Sequence, residues 1–352
     1  MKRIRKNNTR VITVGNVSIG GENPVVIQTM TNTDTKDKEK TLSQIICLKE
    51  EGAELVRVSV KDKKDVDALP YLIENSGLPL IADIHFDPEL ALESIKKGIA
   101  GIRINPGNIK DKNRLKNIIL EAKKRGTAIR IGVNSGSVDR ERYQPNPEGM
   151  VYSALDYIKE FEKLGFYNIK VSLKASDIRT TIEANRLFSS KANYPLHIGI
   201  TEAGPLFVSA VRSSIGIGAL LLEDIGDTIR VSISGDPVNE IKIAREILIS
   251  LNLMNGIKWI SCPTCGRTSI DVEGITLRLM DSFKNLDINR VLTIAIMGCT
   301  VNGPGEAKDS DIAVVGGKDF SLIYLNGYMY KKVSNDQIVN TLREVIETNF
   351  LY

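Results

Sequence analysis

One rhythm constrains this chain more than any other feature. Within the first 250 of its 352 residues, eight short runs of β-branched residues alternate with longer segments of helical periodicity. The runs read VVIQTM at 25–30, LVRVSV at 55–60, PLIADI at 79–84 and GIRIN at 101–105. They continue with AIRIGV at 128–133, NIKVSL at 168–173, PLHIGI at 195–200 and TIRVSI at 228–233. Helical patterns lie between them, among them 38–51, 88–97, 112–125, 149–164, 205–222 and 237–251. Several close on a glycine (Gly52, Gly98, Gly126, Gly165), as a helix C-terminus favours. A doubly wound open sheet uses the same β–α units but usually fewer; eight close naturally into a barrel. The expected fold is α/β, an N-terminal TIM (β/α)8 barrel over 1–253.

Beyond it the rhythm changes. Strands are predicted at 258–261, 291–297 and 311–315, a hairpin at 321–329, and helices at 272–283 and 333–348. This is a second, smaller α+β domain, 254–352, joined through LMNG.

Buried barrel strands should be apolar, yet five carry a basic residue mid-run: Arg57, Arg103, Arg130, Lys170 and Arg230. Side chains alternate faces along a strand. Arg57 therefore shares a face with Ser59, Arg103 with Asn105, Arg130 with Asn134, Lys170 with Ser172 and Lys174, Arg230 with Ser232, and Asp83 with His85. Each polar set runs toward the strand's C-terminal end, where a TIM barrel places its active site. One such arginine is ordinarily a paired structural residue. Five converging cations need matching carboxylates or a multiply charged anion. Asp83 and Glu202 stand at strand ends, with Asp236 and Glu240 further out, so the mouth reads as net positive. Diphosphate is the economical ligand, since arginine pairs with phosphate through two hydrogen bonds. No Walker A or GxGxxG motif supports a nucleotide.

Of four cysteines, Cys47 sits between Ile45, Ile46 and Leu48 in an amphipathic pattern and is expected in the core. Cys262 and Cys265 form C-x2-C, and Cys299 follows in GCTVNGPGEA. A structural zinc wants four ligands, and a redox pair would leave Cys299 idle. Three thiolates suit an iron–sulfur cluster with one iron left to a weaker ligand. Glu306 is a candidate for it, a solvated loop glutamate being the alternative.

The remaining composition narrows the class. A net charge of +4 without a basic helix face gives no case for nucleic acid, and no apolar stretch approaches a membrane span. The basic start MKRIRKNNTR is not followed by the apolar core of a secretory signal, and few cysteines fit a reducing compartment, so the cytoplasm is expected.

The motifs PTCGRT, GCTVNGPGEA, ADIHFD, RINPGN, RIGVNSGS, VSLKAS, GITEAG and IGIGALLLEDIGDTIRVSIS together resemble the 4-hydroxy-3-methylbut-2-enyl diphosphate synthases, in their short two-domain bacterial form. The likeness spans nearly the whole chain. It implies a [4Fe–4S] cluster on Cys262, Cys265 and Cys299 with Glu306 as the exchangeable non-cysteine ligand. It implies 2-C-methyl-D-erythritol 2,4-cyclodiphosphate as substrate, held by Arg57, Arg103, Arg130, Asn134, Lys174 and Ser232, with Asn302 from the cluster loop. Glu202 becomes the candidate acid for the departing hydroxyl, or a partner of the arginines, with Asp83 and His85 positioning. A ferredoxin or flavodoxin donor and a head-to-tail homodimer, each cluster domain capping its partner's barrel, are also implied. Two rivals remain: a barrel aldolase or synthase using Lys174 as a Schiff base beside a structural metal, and a non-catalytic redox sensor.

Overall fold

The computed structural model describes residues 9–350 apart from 86, 106, 107, 110, 284–287 and 302. The chain divides between 247 and 248 into two compact units.

In the first, eight parallel strands follow the eight sequence runs: β3 Val26–Met30, β4 Leu55–Ser59, β5 Leu80–Asp83, β6 Gly101–Ile104, β7 Ala128–Asn134, β8 Ile169–Lys174, β9 His197–Ile198 and β10 Thr228–Ile229. They run side by side in the order β8-β7-β6-β5-β4-β3-β10-β9. A parallel bridge between Val171 and Leu196, with Val171 N–H donating to Pro195 C=O at 2.9 Å, joins the two ends into a barrel. β9 is shorter than the run predicts. At Gly199, φ is +156°, and a Cβ there would stand 2.2 Å from the Arg230 carbonyl oxygen, so the backbone departs from regular pairing.

Eight helices alternate with the strands: α1 Lys38–Glu50, α2 Lys63–Ser76, α3 Pro88–Lys96, α4 Lys112–Arg125, α5 Pro147–Lys163, α6 Ile178–Lys191, α7 Leu206–Leu222 and α8 Val238–Ser250. Aspartates open many of them. Asp62 accepts from the N–H groups of Lys64 and Asp65, Asp111 from those of Asn113 and Arg114, and Asp177 from that of Thr180. Within α1, Ile45 and Leu48 are buried whereas Cys47 is exposed, which corrects its expected place in the core. The helix turns its Thr41–Ile45–Leu48 stripe inward, and Cys47 lies off it.

An antiparallel hairpin, β1 Ile12–Val14 and β2 Val17–Ile19, precedes the barrel. Its Ile12, Val14 and Ile19 pack on Val26, Leu55, Ile81 and Ala128, residues near the starts of β3, β4, β5 and β7. The hairpin thus plugs the N-terminal end of the barrel and leaves the opposite mouth for chemistry.

The second unit is a five-stranded sheet in the order β11-β12-β13-β14-β15. β11 Gly256–Ser261, β12 Val291–Met297 and β13 Ile312–Val315 are parallel, and β14 Phe320–Leu325 and β15 Tyr328–Ser334 form an antiparallel hairpin. One face packs Ile294 and Ile323 against Leu279 of α9 (Val272–Ser282) and Leu342 of α11 (Ile338–Phe350). The other packs Ala295, Met297, Ala313 and Val315 on Ala307 of a short helix, α10 Gly303–Lys308. The last helix therefore begins at Ile338 instead of 333, because Val333 and Ser334 still pair with Ser321 and Phe320.

Candidate functional site

Strand register builds the barrel mouth. Asp83, Arg103, Arg130 and Lys170 pair in succession from β5 to β8, so their side chains share the inner face, and Lys174 follows opposite Asn134. Arg103, Arg130, Lys170 and Lys174 are buried, as are Asp83 and Asn105. Two glycines make room for the long cations. A Cβ on Gly132 would lie 2.8 Å from Arg103 Nε, and one on Gly199 would lie 2.9 Å from Lys174 Nζ.

Two carboxylates organise the cluster. Asp83 lies 3.9 Å from Arg57 Nε and 3.7 Å from Arg103 Nη1, and its Oδ2 is 3.1 Å from His85 Nε2. Arg103 Nη1 also reaches His85 Nδ1 at 3.2 Å. Arg57 further directs Nε and Nη2 onto Met30 Sδ at 3.1 and 3.0 Å. Glu240 takes Arg230 in a fork, at 3.1 Å to Nε and 3.0 Å to Nη2, while accepting from Thr29 Oγ1 at 2.8 Å and Ile233 N–H at 3.1 Å. Glu240 is thus a buried ion partner and not an outlying acid, because the first turn of α8 carries it inward.

Among the described residues six cations, Arg57, Arg103, Arg130, Lys170, Lys174 and Arg230, accordingly gather around Asp83 and Glu240, with the buried Asp227 also acting on Lys170. The titration behaviour follows. Burial, reinforced by the neighbouring cations, pushes the Arg57 guanidinium down to about 10 and drives Arg130, Lys170 and Lys174 well below their ordinary values. Burial alone would raise Asp83. Arg57, the His85 hydrogen bond, Arg103 and Arg130 overcome it and hold the carboxyl well below the usual range. Arg130 Nε and Asp83 Oδ1 are buried without a hydrogen-bond partner among the described residues. The orphaned Arg130 donor, beside excess positive charge, fits a bound anion, whereas the Asp83 oxygen faces the cations it holds.

Sequence reasoning missed a deeper layer. Lys170 Nζ donates to Gln28 Oε1 at 3.3 Å, and His197, fully buried, is 2.8 Å from Thr228 Oγ1 through Nδ1. The signal was parity, since Gln28 and His197 fall on the inward faces of their strands. Ser232 and Asn134 are half-buried at the strand ends, where the Ser232 carbonyl accepts from Ser209 Oγ at 2.7 Å. Glu202 is exposed in the loop after β9 with φ +54°, an uncommon conformation for a residue with a side chain. Asn302 lies outside the described residues.

In the second unit, Cys262 leaves β11 where Cys262 N–H donates to Ile296 C=O at 3.1 Å, and Cys299 leaves the adjacent β12. The two loops are laced together. Gly298 N–H points at Cys262 Sγ at 3.1 Å, and Ser269 N–H donates to Gly298 C=O at 2.8 Å. The N–H of Arg267 above all, then the hydroxyl of Thr268, hold the Cys265 thiol below its ordinary value, against the opposing effect of burial. All three thiols are free, and Glu306 is exposed in the first turn of α10. Among the described residues no three Cys, His, Asp or Glu side chains close on one ion position. N–H groups aimed at the sulfurs of Cys262 and Cys265 fit thiolates that ligate metal, the chemistry an iron–sulfur centre needs.

Two family models match the chain: GcpE TIM-barrel domain over residues 9–245 and GcpE protein C-terminal domain over 258–348. A curated relative from Caldanaerobacter subterraneus subsp. tengcongensis is 49% identical over 344 residues, covering 96% of each chain. One from Clostridium perfringens is 46% identical over 350 residues, covering 98% of this chain and 100% of its own. Both are named 4-hydroxy-3-methylbut-2-en-1-yl diphosphate synthase (flavodoxin). Among solved structures, dihydropteroate synthase from Stenotrophomonas maltophilia shares the barrel fold, with TM-score 0.52 and 13% identity over 68% of this chain and 98% of its own. Among the described residues, no helix is long and apolar enough to cross a membrane. With both family models in chain order and relatives at nearly half identity along its length, the chain is an enzyme that belongs to the GcpE family of diphosphate synthases.

Proposed function

We propose that this oxidoreductase converts 2-C-methyl-D-erythritol 2,4-cyclodiphosphate to 4-hydroxy-3-methylbut-2-enyl diphosphate. A ring carbon–oxygen bond to the diphosphate breaks, a hydroxyl leaves as water, and two electrons enter singly from a flavodoxin or ferredoxin. The observation that carries the reading is the barrel mouth, where six buried or half-buried cations outnumber the buried carboxylates Asp83, Asp227 and Glu240 and one guanidinium nitrogen is orphaned. Relatives bearing the synthase name support the diphosphate product and the flavodoxin donor.

Each residue then has a task. Arg57, Arg103, Arg130 and Lys174 clamp the diphosphate and stabilise the charge that accumulates on it as the bond breaks. Asn134, Ser232 and Asn302 hydrogen-bond the substrate. Asp83 and His85 hold Arg57 and Arg103 in their working positions. Glu202, held in its unusual backbone conformation, delivers the proton to the departing hydroxyl. Cys262, Cys265 and Cys299, with Glu306, would hold the [4Fe–4S] cluster, which when bound supplies one-electron reduction next to an exchangeable ligand position.

In this reading residues 1–253 bind substrate and 254–352 carry the cluster. The protein works in the cytoplasm, a setting its free cysteines suit. A head-to-tail homodimer brings each cluster domain to its partner's barrel. The apolar stripe Phe207, Val211, Ile215 and Leu222, exposed on a helix whose only charge is Arg212, supports such an assembly.

The first test is anaerobic purification with iron and sulfide analysis, for the parent chain and for Cys299→Ser. About four of each per chain, lost in the variant, with reductant-dependent turnover of the cyclodiphosphate, supports the reading. Zinc in place of iron, or metal content indifferent to Cys299, overturns it in favour of a barrel synthase with a structural metal.

A further inference from the structure

We propose that the face of the β14–β15 hairpin continuous with the cysteine loops is the docking surface for an acidic one-electron carrier protein. This rests on the redox reading above. In that face Leu322 and Tyr324 of β14 pack in one cluster with Cys262, Met297 and Ala307. Lys332 pairs with Leu322 and Met329 with Tyr324, so both project from the same face, one strand further out. Lys332 Nζ lies 4.3 Å from the centre of the Phe320 ring. The hairpin turn also abuts the helix bearing Glu306, since a Cβ on Gly327 would meet Lys308 Cα at 3.4 Å.

The exposed surface has the composition of a transient redox contact. On this face Phe320 is 51% exposed and Met329 63%, and Tyr330, at the register shift of the hairpin, is 55% exposed. Lys332 stands on this face, and residues 320–334 contain no carboxylate, which fits a partner of acidic surface. Electron-transfer encounters use small interfaces with an apolar or aromatic centre, and charge complementarity steers the approach. A solitary edge strand is commonly guarded by lysine against pairing with other chains. That role explains the lysines here but not three neighbouring exposed residues, Tyr328, Met329 and Tyr330, on the same strand.

The test uses the cluster-loaded full chain and two variants, Lys332→Glu, and Phe320→Ala with Met329→Ala. Flavodoxin affinity is measured by titration calorimetry across salt concentrations, and turnover is driven either by reduced flavodoxin or by reduced methyl viologen. Expected are affinity weakened about tenfold in each variant, a shallower salt dependence in the charge-reversed one, and viologen-driven turnover within about twofold of the parent. Unchanged flavodoxin affinity overturns the proposal. So does conversion of a dimer to monomer by either variant in light scattering, which would assign the face to a second copy of the chain. A parent that fails to turn over with viologen removes the proposed reaction, and the calorimetric arm still decides the docking surface.

Discussion

At the scale of single residues, the barrel is marked by the cations its fold buries. Burying a charge is costly without a partner, and among the described residues Arg230 alone of these cations has a carboxylate fork, on Glu240. Glu240→Ala would strand that guanidinium, and we expect a loss of roughly 3–5 kcal/mol of stability, read by urea unfolding. His197 gives a pH signature. Burial first, then Lys174, Arg130 and Lys170, push the imidazole well below its ordinary value. The unfolded chain, titrating near 6.5, therefore binds more protons in the window between the two values. Stability should rise with pH through that window and fall as pH drops below about 6.5. His197→Gln should flatten the dependence in thermal melts. Adding inorganic pyrophosphate should do so partly in the parent, because a bound anion favours the protonated cations.

At the scale of elements, the glycines in the strands matter as much as the arginines between them. Gly132→Ala would drive a methyl toward Arg103 Nε, now 2.8 Å from that position. Its neighbours are side-chain atoms, so the fold should survive while the guanidinium is displaced. We expect kcat/KM to fall about tenfold to a hundredfold, mainly through KM, with a small change in melting temperature. The entry hairpin acts in the opposite way. Ile19 is fully buried against the barrel floor, and Ile19→Ala should cost about 2–5 kcal/mol without altering KM. That hairpin is written in the alternation of ITV and VSI around the turn signal Gly15-Asn16, which lies outside the β–α rhythm of the barrel. α2 escaped attention for another reason: Pro70 interrupts its pattern, although Asp62 marks its start and Gly77 its end.

For the whole molecule, the exposed stripe on α7 is the test of assembly. If the enzyme is a dimer covering that surface, Phe207→Glu with Ile215→Glu should yield monomers in light scattering, each residue being more than half exposed in the isolated chain. Cluster content should survive the change, because no cysteine lies in α7. Turnover should fall if the partner's cluster domain completes the barrel. An intact dimer would place the contact elsewhere.

The eight barrel strands were legible because period-2 alternation and turn residues are local, and a helix ends where its glycine stands. The facing of Arg57, Arg103, Arg130 and Lys174 was legible too, since parity along a strand follows from backbone geometry. The three cysteines point to the proposed cluster through spacing and residue chemistry alone. Tertiary structure alone decided which acids meet which bases. Glu240 stands ten residues after Arg230 and looked peripheral, yet the turn into α8 folds it back to a distance of 3.0 Å. Cys47 left the core for a similar reason, because the rotation of a helix on its neighbours is set by the whole stripe and not by the residues beside one cysteine. Periodicity is a property of the chain. Pairing across the barrel depends on shear, register and the room that Gly132 and Gly199 leave, which no local pattern encodes.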